Sequence, residues 1–122
     1  MTQDELKQRF KFFALNIIKL VDCMPRTVSG WAIAKQIVRS GTSPSANYRA
    51  ACLAKSDKDF VNKLKMVEEE LDETLHWLEL IMDSGMMQKD SLLSYYNECN
   101  ELLSITIASI KSVRKRLDNN NM

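Results

Sequence analysis

The chain has 122 residues, 45% of them hydrophobic, which is enough to bury one core without a metal or disulfide staple. Its net charge of +1 gives no overall field that would attract nucleic acid, and no apolar run approaches the roughly 20 residues of a membrane span. Three cysteines at wide spacings fit neither a disulfide framework nor a zinc site, and the polar start lacks a signal-peptide pattern, so we expect a cytoplasmic protein.

The distribution of charge is more informative than its sum. Residues 1–65 carry twelve Lys and Arg against five Asp and Glu, whereas residues 66–110 carry one Lys against ten acids. The last twelve residues are basic again. This pattern is typical of neighbouring helices that complement each other, and it also allows a basic face that follows phosphate groups on an oligomer surface.

Long helices are expected because only three glycines and two prolines interrupt the chain. Apolar residues recur at spacings of three and four in four stretches, and short polar connections separate them. We therefore predict an all-α fold, an antiparallel up-down-up-down four-helix bundle with helices at about 4–23, 29–54, 57–84 and 90–117. Residues 1–118 should form one domain, and the polar tail 119–122 should fray.

The first helix carries an apolar stripe that includes Leu6, Phe10, Phe13 and Ile17, with Thr2 or Asp4 as its N-cap. Pro25 should end it. Phe12 and Ile18 widen the stripe beyond one face, which indicates contact with more than one neighbour.

The second helix contains an unusual stretch of small and hydroxyl-bearing residues from Gln36 to Cys52. Pro44 lies within it and removes the hydrogen bond to the carbonyl of Ser40. Either the helix breaks, with Ser43 as a new cap, or it continues with a kink and a hydroxyl or water satisfies the freed carbonyl. The apolar residues keep the same helical spacing before and after Pro44, which favours the kinked, continuous helix.

The third helix should begin after Ser56, a good N-cap, and end before Gly85, which can adopt the left-handed C-terminal conformation. Asp90 or Ser91 should cap the fourth helix, whose basic C-terminal end suits the helix dipole.

Catalytic and metal-binding patterns are weak. His76 is the sole histidine, and its Glu73-x-x-His76 spacing occurs once, whereas di-iron bundles use two such pairs. Neither a phosphate-binding nor a dinucleotide glycine pattern is present, and no turn presents a nucleophile next to a base. We predict no catalytic, metal or cofactor site.

A structural polar network is a better candidate. A buried Arg39 would need a carboxylate partner, and Glu73 lies beside the apolar seam of the third helix. We hypothesise a link from Arg39 or Asn47 to Glu73, with Ser43 in the same network, that sets the register of helices two and three.

A family resemblance rests on three segments of the chain. They are Gln36-x-x-Arg39-Ser-Gly-Thr-Ser-x-x-Ala46-Asn47-Tyr-Arg-x-Ala51, then Ser56-x-x-Asp59-Phe60-x-x-Lys63-Leu64, then Glu69-x-x-x-Glu73-x-x-x-Trp77-Leu78-Glu79-Leu80. From about Phe10 to Leu117 the sequence resembles the small bacterial four helix bundle proteins encoded by intervening sequences in large-subunit ribosomal RNA genes.

The resemblance implies an antiparallel bundle that assembles into a ring, typically a homopentamer. The accessory protein of diversity-generating retroelements is similar, a strongly basic pentamer that binds nucleic acid and the reverse transcriptase. The near-neutral charge and acidic third helix of this chain depart from that protein. Phe12, Trp31 and Trp77 are aromatic residues of the kind that anchor subunit contacts.

Two functions follow as hypotheses. The first is a non-enzymatic, ring-forming interaction scaffold without a small-molecule substrate or membrane partner. The second is a nucleic-acid-binding accessory factor that uses basic residues; Arg39 is one candidate, and the others are Lys35, Arg49, Lys55, Lys63, Lys111, Arg114, Lys115 and Arg116.

Overall fold

Four long helices make up almost the whole of residues 1–120, the part of the chain that this computed structural model describes. They are α1 (Gln3–Asp22), α2 (Val28–Cys52), α3 (Asp57–Asp83) and α4 (Leu93–Asn120). The four predicted helices are confirmed. The start of the fourth was predicted too early, because a separate 3-10 turn, Lys89–Ser91, precedes α4.

The end of α4 also differs from the prediction. We expected fraying from residue 119, but α4 continues to Asn120. Residues 121–122 of the predicted tail lie outside the described part of the chain.

Side chains cap the N-termini of three helices, and two of these caps, Thr2 and Ser56, were predicted. Thr2 and Glu5 form a reciprocal capping box at α1, and the Thr27 hydroxyl accepts from the backbone N–H of Gly30 at 3.0 Å. The Ser56 hydroxyl accepts from the N–H of Asp59 at 3.0 Å. Each cap satisfies an N–H group that the first helical turn leaves without a backbone partner.

Helix α2 continues through Pro44, as predicted, so the proline does not divide it. We expected a hydroxyl or water to satisfy the carbonyl of Ser40, but the nearby hydroxyls donate to other carbonyls. Thr42 donates to the carbonyl of Val38 and Ser43 to that of Arg39, each at 2.6 Å. Both are i to i−4 contacts, which a hydroxyl reaches easily within its own helix.

Each helix packs mainly on its neighbour in the sequence, and the contact between α1 and α4 is the least extensive of the four sides. All four helices contribute to one core, including the fully buried side chains of Phe13, Ile37, Leu71 and Leu102. Within residues 1–120, no helix is both long and apolar enough to cross a bilayer.

Gly41 brings α1 and α2 close together. A Cβ at this position would lie 2.9 Å from both Cγ1 and Cγ2 of Ile17. The small residues in the middle of α2 therefore have a packing role, because a larger side chain would push the two helices apart.

Candidate interaction surfaces

The ionisable side chains are spread over helix surfaces. In the described part of the chain, no three His, Cys, Asp or Glu side chains come together in a way that could hold a metal ion. His76 is exposed, and its ring lies edge-on to that of Trp77, with 4.9 Å between centroids.

Arg39 joins α2 to α3 by pairing with two carboxylates. Its Nη1 donates to both oxygens of Glu70 at 3.0 and 3.1 Å, and its Nη2 donates to Glu73. Glu73 also accepts from the indole N–H of Trp77 at 3.1 Å. The charge of Glu70 is the main reason that the pKa of Arg39 is raised. The Arg39 side chain is 48% exposed, so this ion pair lies on the surface and not in the core.

Asn47 is not part of this cluster. It lies two turns beyond Arg39 on α2, about 12 Å along the axis, too far for Glu73 to reach both. Ser43 is connected to Arg39 through the backbone carbonyl alone. Sequence reasoning missed Glu70, although it lies three residues before Glu73 and therefore on the same face of α3.

A buried hydroxyl pair also joins α2 to α3. The side-chain oxygens of Ser40 and Thr74 lie 2.9 Å apart, and neither residue is exposed to solvent. Thr74 is also 2.8 Å from the carbonyl of Glu70, one turn earlier in α3. Hydroxyl-to-carbonyl contacts of this kind are common in helices, so a Ser or Thr within a helix does not by itself predict a contact with another helix.

Arg9 connects α1 to α4 across the least extensive side of the bundle. Its Nε and Nη2 donate to the two oxygens of Glu98 at 2.8 and 2.6 Å, and Nη2 also reaches Glu101 at 2.9 Å. The hydrogen bond to Glu98 is the largest cause of the raised pKa of Arg9. Arg9 and Glu98 are 89 residues apart in the sequence, so no local pattern predicts this pair.

The basic residues predicted to contact nucleic acid do not form one continuous face. Arg116 makes two hydrogen bonds of 3.0 Å to Asp57, and Lys63 pairs with Asp59 at 2.7 Å. These ion pairs lower the pKa of both aspartates. The remaining predicted residues are exposed on two helices and one connection: Lys35 and Arg49 on α2, Lys55 after it, and Lys111, Arg114 and Lys115 on α4.

An apolar strip on α1 faces away from the core. It consists of Phe12, Leu15 and Ile18, which are 63%, 48% and 43% exposed. Phe13 and Ile17, two residues to either side of Leu15, are both buried, so Leu15 lies on the opposite side of the helix. Trp31 on α2 is 58% exposed as well. Trp77, our third predicted aromatic anchor, is half-buried.

A groove runs between α1 and α2 on the outer surface. It has a volume of about 560 Å³ and a floor of small residues, among them Ala14 and Ala46. Lys7, Lys11 and Arg49 line it, and no acidic residue does. We name it the basic groove.

A second groove, of about 250 Å³, runs between α3 and α4. Leu103 and Ile107 of α4 give it an apolar side. The charged residues that line it all come from α3: Lys65, Glu68, Glu69 and Asp72. We name it the acidic groove. It lies on the opposite side of the bundle from the basic groove, because α1–α2 and α3–α4 are opposite pairs.

These features define a four-helix bundle whose distinctive surfaces are an apolar strip and two oppositely charged grooves. The family model for the 23S rRNA-intervening sequence protein matches residues 3–108, and the chain belongs to that family. This confirms the resemblance drawn from the sequence.

A solved structure has the same fold. It is the crystal structure of a protein of unknown function from the S23 ribosomal protein family of Bacteroides thetaiotaomicron. The two are 34% identical with a TM-score of 0.84, over 91% of this chain and 99% of that one. Comparison with curated proteins gave no match.

Proposed function

We propose that this chain is a non-enzymatic scaffold protein that associates with further copies of itself in a ring. The homopentamer is the form implied by the family resemblance. The observation that carries the proposal is the apolar strip, because Phe12, Leu15 and Ile18 lie exposed on the side of α1 opposite the core. Contiguous apolar residues on a helix that already has its core contacts are a feature of protein interfaces.

The strip can contribute usefully to association. Full burial of a Leu, Ile or Phe side chain stabilises by about 1.5–3 kcal/mol, so covering the exposed half of each contributes about 1 kcal/mol. Three such residues at each contact between copies contribute about 3 kcal/mol, which lowers the dissociation constant roughly a hundredfold.

The experiment compares the mass of the wild-type chain with that of a variant, by light scattering at micromolar concentration. Leu15→Gln with Ile18→Gln keeps helix propensity and removes about 2 kcal/mol from each contact, which should shift the population toward the monomer. Leu53→Gln is the matched control, because Leu53 is 81% exposed but lies outside the strip. A monomeric wild-type protein would contradict the proposal.

A second candidate function is nucleic-acid binding through the basic end of α4. Lys111, Arg114 and Lys115 favour it, because they are exposed and take part in none of the ion pairs within residues 1–120. Binding that neutralises phosphates must weaken as salt rises, with a slope of about −0.7 for each phosphate of a single strand.

A fluorescent single-stranded RNA titrated at several salt concentrations tests this candidate. Lys111→Glu with Lys115→Glu should lower both the affinity and the salt slope. An RNA affinity that does not change with salt, or that these substitutions leave intact, would reject it.

A further inference from the structure

Like charges stand one helical turn apart in both grooves. Lys7 and Lys11 are four residues apart on α1, and Glu68 and Asp72 are four residues apart on α3. Like charges at this spacing destabilise a helix. Within residues 1–120, Lys7 has one ion-pair partner, Asp4 at 3.5 Å, and Asp4 is 92% exposed. An external partner of opposite charge would relieve both repulsions.

The two helices carry the same charge pattern with reversed sign. Along α1 the order is Asp4, Lys7, Lys11, and along α3 it is Lys65, Glu68, Asp72. The intervals are three and then four residues in both cases. Two parallel helices placed side by side in this register bring three pairs of opposite charges together, at intervals of about 4.5 and 6 Å along the axis.

The directions of the helices allow such a pairing between copies. In an up-down-up-down bundle α1 and α3 run the same way, so α1 of one copy can lie parallel to α3 of the next without turning the molecule over. The grooves are on opposite sides of the bundle, so the contact uses two different surfaces and leads from copy to copy.

We propose that the basic groove of one copy receives the acidic α3 face of another, with Lys7 against Glu68 and Lys11 against Asp72. This rests on the self-association proposed above and specifies which surfaces meet. The small floor of the basic groove, including Ala14 and Ala46, lets a second helix approach closely. Complementary charges set the register and orientation of such a contact and exclude wrong ones.

The register also specifies a displacement. Leu6 and Phe60 line one cleft of the bundle, so the first turns of α1 and α3 lie at the same end of the molecule. Lys7 is the fifth residue of α1 and Glu68 the twelfth of α3, so pairing Lys7 with Glu68 shifts the neighbouring copy by several residues along the helices. A ring closes with this shift only where the two helices cross at an angle, whereas strictly parallel helices continue as a filament.

Nucleic acid is the competing occupant of the basic groove. The chain itself favours the protein partner, because it carries an acidic groove of matching spacing and a net charge of only +1. A polyanion bound to the basic groove would leave the like-charge pair of α3 unrelieved.

The test is charge reversal followed by charge restoration, with mass measured by light scattering. Lys7→Glu with Lys11→Glu should lower the assembled fraction at least tenfold at a fixed micromolar concentration, and Glu68→Lys with Asp72→Lys should do the same. The chain with all four substitutions should assemble again, because each reversed residue meets a reversed partner. An equimolar mixture of the two double variants should also form mixed assemblies.

Lys111→Glu with Lys115→Glu is the matched control. It makes the same change of charge at the same spacing on α4, outside both grooves, and should leave the mass unchanged. Thermal unfolding by circular dichroism verifies that every variant folds.

The outcomes separate this inference from the proposed function. If wild type assembles and the Lys7/Lys11 variant assembles equally well, self-association stands and this docking surface is wrong. The same conclusion follows if all four substitutions together fail to restore assembly. If the Lys7/Lys11 variant keeps its mass but loses salt-dependent binding of a single-stranded RNA, the groove is a nucleic-acid site. A monomeric wild type overturns both proposals.

Discussion

Replacing Gly41 with alanine tests the close approach of α1 and α2. The new methyl group would lie 2.9 Å from Cγ1 and Cγ2 of Ile17 and 3.2 Å from its Cβ, whereas carbon atoms pack best at about 3.5–4.0 Å. Ile17 is fully buried, and a β-branched side chain in a helix has essentially one rotamer, so it cannot turn away. The helices must therefore move apart slightly.

The expected magnitude combines two opposing terms. Overpacking in a core costs about 1–3 kcal/mol, and exchanging glycine for alanine within a helix gains about 1 kcal/mol. We therefore expect the free energy of unfolding to fall by about 0–2 kcal/mol. Each 1 kcal/mol corresponds to about 4 °C in Tm for a chain of this size.

Ile17→Ala separates the two terms. It removes the atoms that the new methyl group would contact. By itself it lowers the free energy of unfolding by about 2–5 kcal/mol, because it leaves a cavity. In that background the alanine at position 41 has room, so Gly41→Ala should stabilise by about 1 kcal/mol or more. The coupling between the substitutions should then be about 1–3 kcal/mol.

Urea unfolding, followed by circular dichroism, gives the free energy of unfolding of the wild type, both single variants and the double variant. All four are measured at one protein concentration, since association would make stability concentration-dependent. Ala32→Gly, at an exposed position of the same helix, measures the propensity term alone. If Gly41→Ala raises stability by the same amount with Ile17 and with alanine at position 17, the packing argument is wrong.

Three further predictions concern polar contacts. Thr74→Val should lower the free energy of unfolding by about 1–3 kcal/mol, because it leaves the buried Ser40 hydroxyl without its close partner, and adding Ser40→Ala should recover most of the loss in urea unfolding. Arg9→Met should lower the free energy of unfolding in urea by about 1–3 kcal/mol, since the partly buried Glu98 loses its charged donor. Adding Glu98→Gln should lower it little further. The ion pair of Asp57 lowers its pKa, so its stabilisation is fully present above the ordinary pKa of 3.8 and is lost as the pH falls through the lower folded value. Asp57→Asn should therefore lower Tm more at pH 7 than at pH 2, and an equal loss at both pH values would contradict this assignment.

Helix positions could be predicted from this sequence because periodicity and capping are local signals. Thr2, Thr27 and Ser56 act within a few residues of the backbone groups that they satisfy. The start of α4 was misplaced because Asp90 and Ser91 look like caps, whereas they belong to a 3-10 turn that ends just before the helix.

The interhelical contacts were less predictable. The Arg39–Glu73 ion pair could be proposed because charge beside an apolar seam demands a partner, yet Asn47 and Glu73 are too far apart along the axis. Arg9 and Glu98 are 89 residues apart, and no local pattern joins them. The grooves likewise depend on which helices are neighbours, so Lys7 and Lys11 did not stand out among the twelve basic residues of the first 65.

The order of helix packing has a kinetic consequence. Since α1 packs on α2, α2 on α3 and α3 on α4, most of the core forms between segments joined by short connections, and little chain entropy is lost in closing each one. Only the α1–α4 side must wait for the two ends of the bundle to meet. Folding should therefore be fast, with that side formed after the rate-limiting barrier, so that losing Arg9 accelerates unfolding and leaves the folding rate almost unchanged.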